Sequence, residues 1–265
     1  MEPGPRLTTS FHSLHDGDRP LLLPNAWDVA SAVAFADAGF PAVGTTSFGV
    51  GAAAGYADGA RASRDATAAL VRALGPLPVH VSADIEDGYA DDPDDVAAYV
   101  AGLDVAGVNI EDSTDGSLID PAAHADKIAA IIRRCPGVFV NARIDNYWLG
   151  QEATVDAVLR RAEAYVAAGA DGIFVPGATD PADLRALTSA IPLPLNTLVV
   201  PGLSLKELGD LGVRRVSTGS LPYRAAIDAA VGVATAVRDG DPPVAATPYE
   251  RAQQSLLRFA RRAAR

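Results

Sequence analysis

An eight-stranded parallel α/β barrel is the fold predicted by this sequence, on three observations. Short apolar runs alternate with Ala-rich stretches of helical spacing eight times along the chain. A length of 265 residues suits one such barrel, and a hydrophobic content of 49% is enough to fill it. No Gly-x-Gly-x-x-Gly follows the first apolar run, which argues against an open dinucleotide-binding sheet. The chain reads as a single domain over 1–265, with the barrel at about 20–238 and a further helix at about 248–264.

In chain order, the first strand candidate is LLLPN (21–25), followed by helical spacing over 27–38. PAVGTTS (41–47) is the second, and its helix is expected over 64–74. Between them GVGAAAGYADGA (49–60) has the Gly and Ala content of a mobile loop over the barrel mouth. LPVHVSAD (77–84) leads to a helix at 94–104, AGVNIED (106–112) to 121–134, and GVFVNAR (137–143) to 152–168. DGIFVPG (171–177) precedes 181–189, LPLNTLV (193–199) precedes 204–211, and VRRVSTG (213–219) precedes 221–238. Gly39, Pro78, Gly107, Gly137 and Gly169 punctuate the joints. The last segment, PYERAQQSLLRFARRAAR (248–265), lies outside the eightfold alternation. Leu256, Leu257, Phe259 and Ala260 form an apolar stripe beside arginines, so this helix is expected to pack on another subunit or to cap the barrel.

Composition narrows the partners. With 22 basic and 33 acidic residues the formal charge is −11, which speaks against non-specific binding to nucleic acid or to an anionic membrane. No run reaches the ~18 apolar residues of a membrane span. The first twenty residues, with Pro3, Pro5, His12, His15, Asp16 and Asp18, carry no apolar run, so no signal peptide is expected. Cys135 is the single cysteine; it excludes an internal disulfide and reads as structural. A cytoplasmic protein is expected.

Barrels of this class carry their chemistry at the C-terminal ends of the strands. Here those ends are unusually polar: Asn25; Thr45, Thr46 and Ser47; Asp84 and Glu86; Glu111 and Asp112; Asn141, Arg143 and Asp145; Asn196 and Thr197; Ser217 and Thr218. Asp84 and Glu86 stand two apart, so on a strand they share a side, roughly 6.6 Å apart along the backbone. With Glu111 from the next strand they form a set able to surround one hard divalent cation, Mg²⁺ or Mn²⁺. The four histidines are scattered and make no zinc-type set. Asp87, Asp91, Asp92, Asp94 and Asp95 fit the turn and the start of the next helix, where acids favour the helix dipole. Arg143 offers a planar fork suited to a carboxylate or phosphonate; an ion pair with Asp145 or Glu111 is the competing use.

These segments together resemble the isocitrate lyase and phosphoenolpyruvate mutase superfamily. DIEDGYA is similar to its D-x-[DE]-x-G-[FY]-[GA] segment, GVNIED to its I-E-D strand and VNARID to its A-R-T-D strand. The opening (24–59) and the last two units (194–220) are similar as well, so the likeness runs over roughly 20 to 230. It implies an α/β barrel, often tetrameric, with a C-terminal helix exchanged between neighbours. It implies Mg²⁺ as cofactor and 2-oxo or 2-hydroxy acids as substrates, with a C–C or P–C bond made or broken. By the same resemblance Asp84 and Glu86 hold the metal, Glu111 helps through water, and Thr45, Thr46, Ser47 and Asn196 meet the substrate. Arg143 binds its anionic end, and Asp58 matches the loop Asp.

One departure narrows the activity. After the I-E-D strand, isocitrate and methylisocitrate lyases carry K-[KR]-C-G-H; here the stretch is IEDSTDGSLIDPAAHADK, without Cys and without Lys before Lys127. The mutase's Lys-and-Asn loop is not evident either. A Mg²⁺-dependent lyase acting on a small 2-oxo or 2-hydroxy dicarboxylate, catalytic residues Arg143, Asp58 and Glu111, is the first reading, in a dimer or tetramer. P–C chemistry on phosphonopyruvate and a catalytically silent 2-oxo acid-binding barrel are the alternatives. Asp58, Tyr89 and His124 are the candidates for the general acid or base, and Trp27, Phe48, Tyr147 and Trp148 for the pocket around the substrate's tail.

Overall fold

The computed structural model describes residues 9–264. Pro3 and Pro5 lie outside the described residues. Strands β1 (Leu21–Leu23), β2 (Asn25–Ala26), β3 (Ala42–Thr45), β4 (His80–Asp84), β5 (Gly107–Glu111), β8 (Phe139–Arg143), β9 (Gly172–Phe174), β10 (Leu195–Leu198) and β11 (Arg215–Ser217) form one all-parallel sheet. Two short strands, β6 (Ser113–Thr114) and β7 (Ser117–Leu118), make a small hairpin after β5 that the sequence pattern does not announce.

Closure depends on Pro24. β1 pairs with β11 and β2 pairs with β3, so the first strand changes neighbours at a residue that has no N–H to give. The Pro24 carbonyl accepts from Gly44 N at 2.8 Å, which keeps the ladder continuous. Asn25 completes the seam: its Nδ2 donates to the Thr45 carbonyl at 2.7 Å, and its Oδ1 accepts from Gly219 N at 2.8 Å. The barrel foreseen from the eightfold alternation is therefore present, with its first strand in two pieces.

The helices are α1 (Val29–Asp37), α2 (Ser47–Ala53), α3 (Arg64–Leu74), α4 (Pro93–Ala101), α5 (Pro121–Arg134), α6 (Asn146–Leu149), α7 (Val155–Ala167), α8 (Pro181–Ala190), α9 (Leu205–Asp210), α10 (Leu221–Asp239) and α11 (Tyr249–Ala263). Side-chain caps start many of them. Asp92, Asp120 and Asp180 each accept from two backbone N–H groups and precede a proline at the first helical position. The stretch 49–60 is a loop only in its second half, because Ser47–Ala53 is helical.

Strand alternation sorts the side chains. Outward residues such as Val108, Ile110, Val140 and Ala142 pack with Ile128, Ile131, Val158, Tyr165, Leu184 and Leu187 of the surrounding helices. The inward positions Asn109 and Asn141 are polar and linked to each other. The N-terminal end of the barrel is shut by a short 3₁₀ turn, His12–His15, and by Phe11, Leu21, Ala42 and Phe139. Gly107 makes room for it: a Cβ there would stand 2.7 Å from Phe11 Cε1.

α11 lies along α1 of its own chain, where Ser255 and Arg258 both donate to Asp37. α10 leaves Ile227, Val231 and Val237 exposed, and α11 leaves Leu256 and Leu257 exposed. Among the described residues no helix is long and apolar enough to cross a membrane.

His15 gives the fold a measurable acid limit. Its ring stacks on Phe139 with centroids 4.2 Å apart, and its Nδ1 donates to the Phe11 carbonyl at 3.0 Å. Nε2 is buried without a partner. Burial, with Arg215 adding, pushes its pKa down to about 4. The unfolded chain therefore takes up a proton near pH 6.5 that the folded chain refuses until about 4. The contribution of His15 to stability is full above pH 6.5 and falls by about 3 kcal/mol as pH drops from there to 4. Urea midpoints measured across this window should show the fall, and His15→Phe should make it shallower.

Candidate active site

Asp84 ends β4 and is held from three sides. Its N–H donates to Thr45 Oγ1 at 2.8 Å, and its Oδ2 accepts from Ser47 N at 2.9 Å and Ser47 Oγ at 2.8 Å. Oδ1 has no protein donor among the described residues. Thr46 caps α2 by accepting from Gly49 N, so the Thr-Thr-Ser run is occupied in fixing the strand end and its carboxylate.

Glu86 is placed differently from the strand reading. β4 stops at Asp84, and Glu86 has a left-handed φ of +48° in the turn beyond it. Its carboxylate reaches back to the loop before α3, accepting from Arg61 N at 3.0 Å and from the Ser63 hydroxyl. Burial raises its pKa, with Asp84 and Asp58 adding and Ser63 opposing.

Glu111 and Arg143 are direct cross-strand neighbours in the β5–β8 register. Arg143 Nη1 meets Glu111 Oε2 at 2.7 Å, and its Nε donates to Asp145 Oδ1 at 2.6 Å. Both ion pairs named by the sequence reading exist together, and Nη2 has no protein acceptor among the described residues. Trp148 and Phe174 flank the guanidinium, their centroids 5.7 and 5.8 Å from Cζ. Glu111 is pushed well up by desolvation, Arg143 opposing and Asp145, Asp84 and Glu86 adding. Asp58 is exposed on the loop, yet desolvation and then Asp84 raise it while Arg143 pulls it down. Asp58, Asp84, Glu86 and Glu111 therefore share one field.

That donor set fits a hard divalent cation. Asp84 Oδ1 and Glu111 Oε1 are oxygens without protein donors among the described residues, and carboxylates that raise one another's pKa lack positive charge. No three acidic, histidine or cysteine side chains among the described residues converge tightly enough to enclose an ion by themselves. A cation held here would need water to complete its shell, as Mg²⁺ commonly does.

The remaining predicted residues fall elsewhere. Asn196 is buried in the barrel and bonded to Ser217. Tyr89 points its hydroxyl at Ser63 and Thr67, one hydrogen bond removed from Glu86. His124 is buried on α5 against Tyr165, both its nitrogens without partners and its pKa lowered to about 3 by burial; it is no part of the mouth. Tyr147 donates to Asp183, and Trp27 and Phe48 pack edge-on to Tyr223. Asp87 is not a solvated turn acid: 2% exposed, it takes Arg61 Nε and Nη2, the Thr114 hydroxyl and the Lys127 charge. Arg61 and Ser63 are site-supporting residues that sequence reasoning passes over, because nothing in a loop's composition says where it folds back.

Behind Arg143 lies a further charged network, in which Asp112 and Asp145 are buried and Arg161 is partly exposed. Asp112 accepts from Arg161 Nη1 at 2.9 Å, from Tyr165 Oη at 2.7 Å and from Asp145 N at 2.9 Å. Asp145 in turn accepts from the Ser113 hydroxyl at 2.6 Å.

A parallel barrel with paired carboxylates and an arginine at its C-terminal mouth defines a barrel enzyme of the acid-rich type. Residues 11–238 match the family described as phosphoenolpyruvate phosphomutase, and the chain belongs to that family, within the isocitrate lyase and phosphoenolpyruvate mutase superfamily of lyases and mutases. It is 55% identical over 253 residues to the uncharacterized protein Rv1998c of Mycobacterium tuberculosis (strain ATCC 25618 / H37Rv), covering 96% of this chain and 98% of that one. It is 29% identical over 240 residues to an oxaloacetate decarboxylase of Pseudomonas aeruginosa (strain UCBPP-PA14), covering 84% and 82%. Its fold matches a phosphonopyruvate hydrolase solved with oxalate and Mg²⁺, with a TM-score of 0.82, 23% identity and 95% of each chain covered.

Asp112→Ala should destabilise the protein by about 3 kcal/mol or more, because it strands Arg161 and releases Asp145. Denaturant titration of the variant checks this, and an unfolding midpoint near that of the unaltered protein would contradict the network drawn here.

Proposed function

We propose that the protein is a Mg²⁺-dependent carbon–carbon lyase acting on a small 2-oxo or 2-hydroxy dicarboxylate. The observation that carries this is the meeting of Asp84, Glu86 and Glu111 with Arg143 at one mouth, the arginine keeping Nη2 free of protein acceptors among the described residues. Asp84 and Glu86 would hold the metal, and Glu111 would reach it through water. Bound there, Mg²⁺ supplies Lewis-acid polarisation of a substrate oxygen.

The chain's own groups do the rest. Arg143 grips a substrate carboxylate with Nη2 and its remaining Nη1 hydrogen while Glu111 and Asp145 hold its plane. Thr45 and Ser47 keep Asp84 oriented. Trp148 and Phe174 line the side of the guanidinium and limit water around it. In a 2-oxo acid the C–C bond would open with its electron pair passing into the 2-oxo group as an enolate. In a 2-hydroxy acid the hydroxyl would lose its proton and become a carbonyl while the pair passes to the carbon beside the other carboxylate. In either case the anion is stabilised by positive charge at the mouth. Asp58, on the loop beside the rim, is the group placed to handle a proton. Oxaloacetate decarboxylation belongs to this reaction class, in keeping with the similarity to the Pseudomonas aeruginosa decarboxylase. Between Glu111 and His124 the loop carries no cationic residue for a phosphonate, which favours C–C over P–C cleavage.

With that reading goes a cytoplasmic homo-oligomer, a dimer or tetramer in which α10 and α11 cover one another's exposed Ile227, Val231, Leu256 and Leu257 across subunits while α11 stays seated on α1 of its own chain.

Pure protein mixed with Mg²⁺ and oxaloacetate, alkylmalates, methylisocitrate or phosphonopyruvate, followed by proton and phosphorus NMR, should show chelator-sensitive cleavage of a carbon acid. Arg143→Ala should lower kcat/KM by about 100-fold or more. Phosphorus leaving the phosphonate would shift the assignment to P–C chemistry, and ligand binding without turnover would make the barrel a 2-oxo acid sensor. In sedimentation, Leu256→Asp with Leu257→Asp should reduce the assembly by at least one step.

A further inference from the structure

Beneath the carboxylates the barrel holds a cation that no acid touches. Arg215 begins β11, is 1% exposed and takes part in no ion pair among the described residues. Its Nε donates to Ser217 Oγ at 3.3 Å and its Nη2 to Asn109 Oδ1 at 3.1 Å, while Nη1 is buried without an acceptor. Burial lowers its pKa to about 9, and Asp84 is the charge that opposes this, so the group stays cationic at neutral pH. A buried guanidinium without a counter-ion is strongly unfavourable for folding. Its presence calls for a role in the site above it.

Its effect on Asn109 supplies one. Arginine only donates, so the amide atom facing Nη2 is the oxygen, however the side chain would otherwise be assigned. Asn141 Nδ2 donates to the same oxygen at 2.9 Å. Gly172 makes room for Asn141, since a Cβ there would stand 2.9 Å from its Oδ1. With Oδ1 doubly engaged, Asn109 is left with an Nδ2 that has no protein acceptor among the described residues. Unlike Arg215 Nη1 and Ser82 Oγ, this nitrogen is not sealed from solvent without a partner. Asn109 lies opposite Asp84 in the β4–β5 register and two residues before Glu111. Phe11, His15 and Phe139 shut the other end, so its open side is the mouth.

We propose that Asn109 is a substrate-binding residue whose Nδ2 donates to an anionic oxygen of a 2-oxo or 2-hydroxy carboxylate, and that Arg215 is the positioning residue that fixes it. The identity of the ligand rests on the lyase reading. A dianion seated under the ring of acids meets two donor hydrogens and, behind them, the field of a buried cation.

Oxalate, a stable two-carbon dianion, is the probe, titrated calorimetrically into the full-length protein saturated with Mn²⁺; electron paramagnetic resonance reads Mn²⁺ affinity separately. Asn109→Asp keeps the acceptor for Arg215 and Asn141 and removes the donors, and Asn109→Ala removes both without adding charge. Each should bind oxalate about tenfold more weakly or worse, with Mn²⁺ affinity not weakened beyond about twofold and a cooperative thermal melt retained. Arg215→Met should also weaken oxalate, and combined with Asn109→Ala should weaken it no further than Asn109→Ala alone, because both act through one donor. Oxalate affinity within about twofold of the unaltered protein in a folded Asn109 variant overturns the proposal, and full additivity in the double variant overturns the part given to Arg215. On the unaltered protein, ¹⁵N-asparagine labelling with Mg²⁺ gives a reading that needs no variant: oxalate must shift one side-chain NH₂ pair, and none moving overturns it. If the unaltered protein binds no oxalate, the lyase reading falls as well; if it binds and Asn109 is indifferent, only this inference falls.

Discussion

The fork of Arg143 between Glu111 and Asp145 is the interaction on which the rest of the mouth depends. The parallel register of β5 and β8 sets Glu111 directly beside Arg143, and a turn two residues later brings Asp145 back to its Nε. Two carboxylates this close, one of them fully buried, are tolerable because a single guanidinium serves both. The arrangement also fixes the plane of the arginine, so what remains of its donor edge has one direction. Asp112, anchored by Arg161 and Tyr165, supports it from behind through the Asp145 backbone. The charge pattern at the mouth is thus set by strand register and by a buried network, and depends little on the mobile groups at its edge.

A second balance holds the other acids apart. Asp87 sits three residues beyond the strand end and is neutralised by Arg61 and Lys127, which reach it from the loop and from α5. The same loop gives its Arg61 N–H and Ser63 hydroxyl to Glu86. One segment therefore satisfies two adjacent carboxylates of opposite purpose, one locked into structure and one at the rim. Glu86 accepts a left-handed backbone to be there, a conformation that non-glycine residues hold only when the surroundings impose it.

Much of this was legible in the sequence. Short apolar runs ending in polar residues marked the strands, and Asp84, Glu111 and Arg143 do stand at one end of the barrel. Clustered acids marked the start of the helix after β4, where Asp92 caps it and Asp94 and Asp95 lie in its first turn. Three kinds of information were not local. The break at Pro24 shows only once both neighbours of the first strand are known. Asp87 looked like one more turn acid, because its partners Arg61 and Lys127 lie 26 and 40 residues along the chain. His124 looked like a proton carrier, but α5 turns it toward Tyr165. Arg215 left a faint trace: in VRRVSTG two consecutive arginines occupy a strand whose alternation sends one of them inward.

The aromatic seal at the N-terminal end has a consequence for traffic. With Phe11 wedged over Gly107 and His15 stacked on Phe139, the barrel is a blind well. Whatever enters beside Arg143 departs past Arg143, and under the proposed lyase reading two fragments would leave one after the other. The deeper fragment waits for the shallower, and while it waits it occupies the place of the next molecule. Under that reading, release order and self-inhibition by the last product would follow from a floor closed by Phe11, His15 and Phe139.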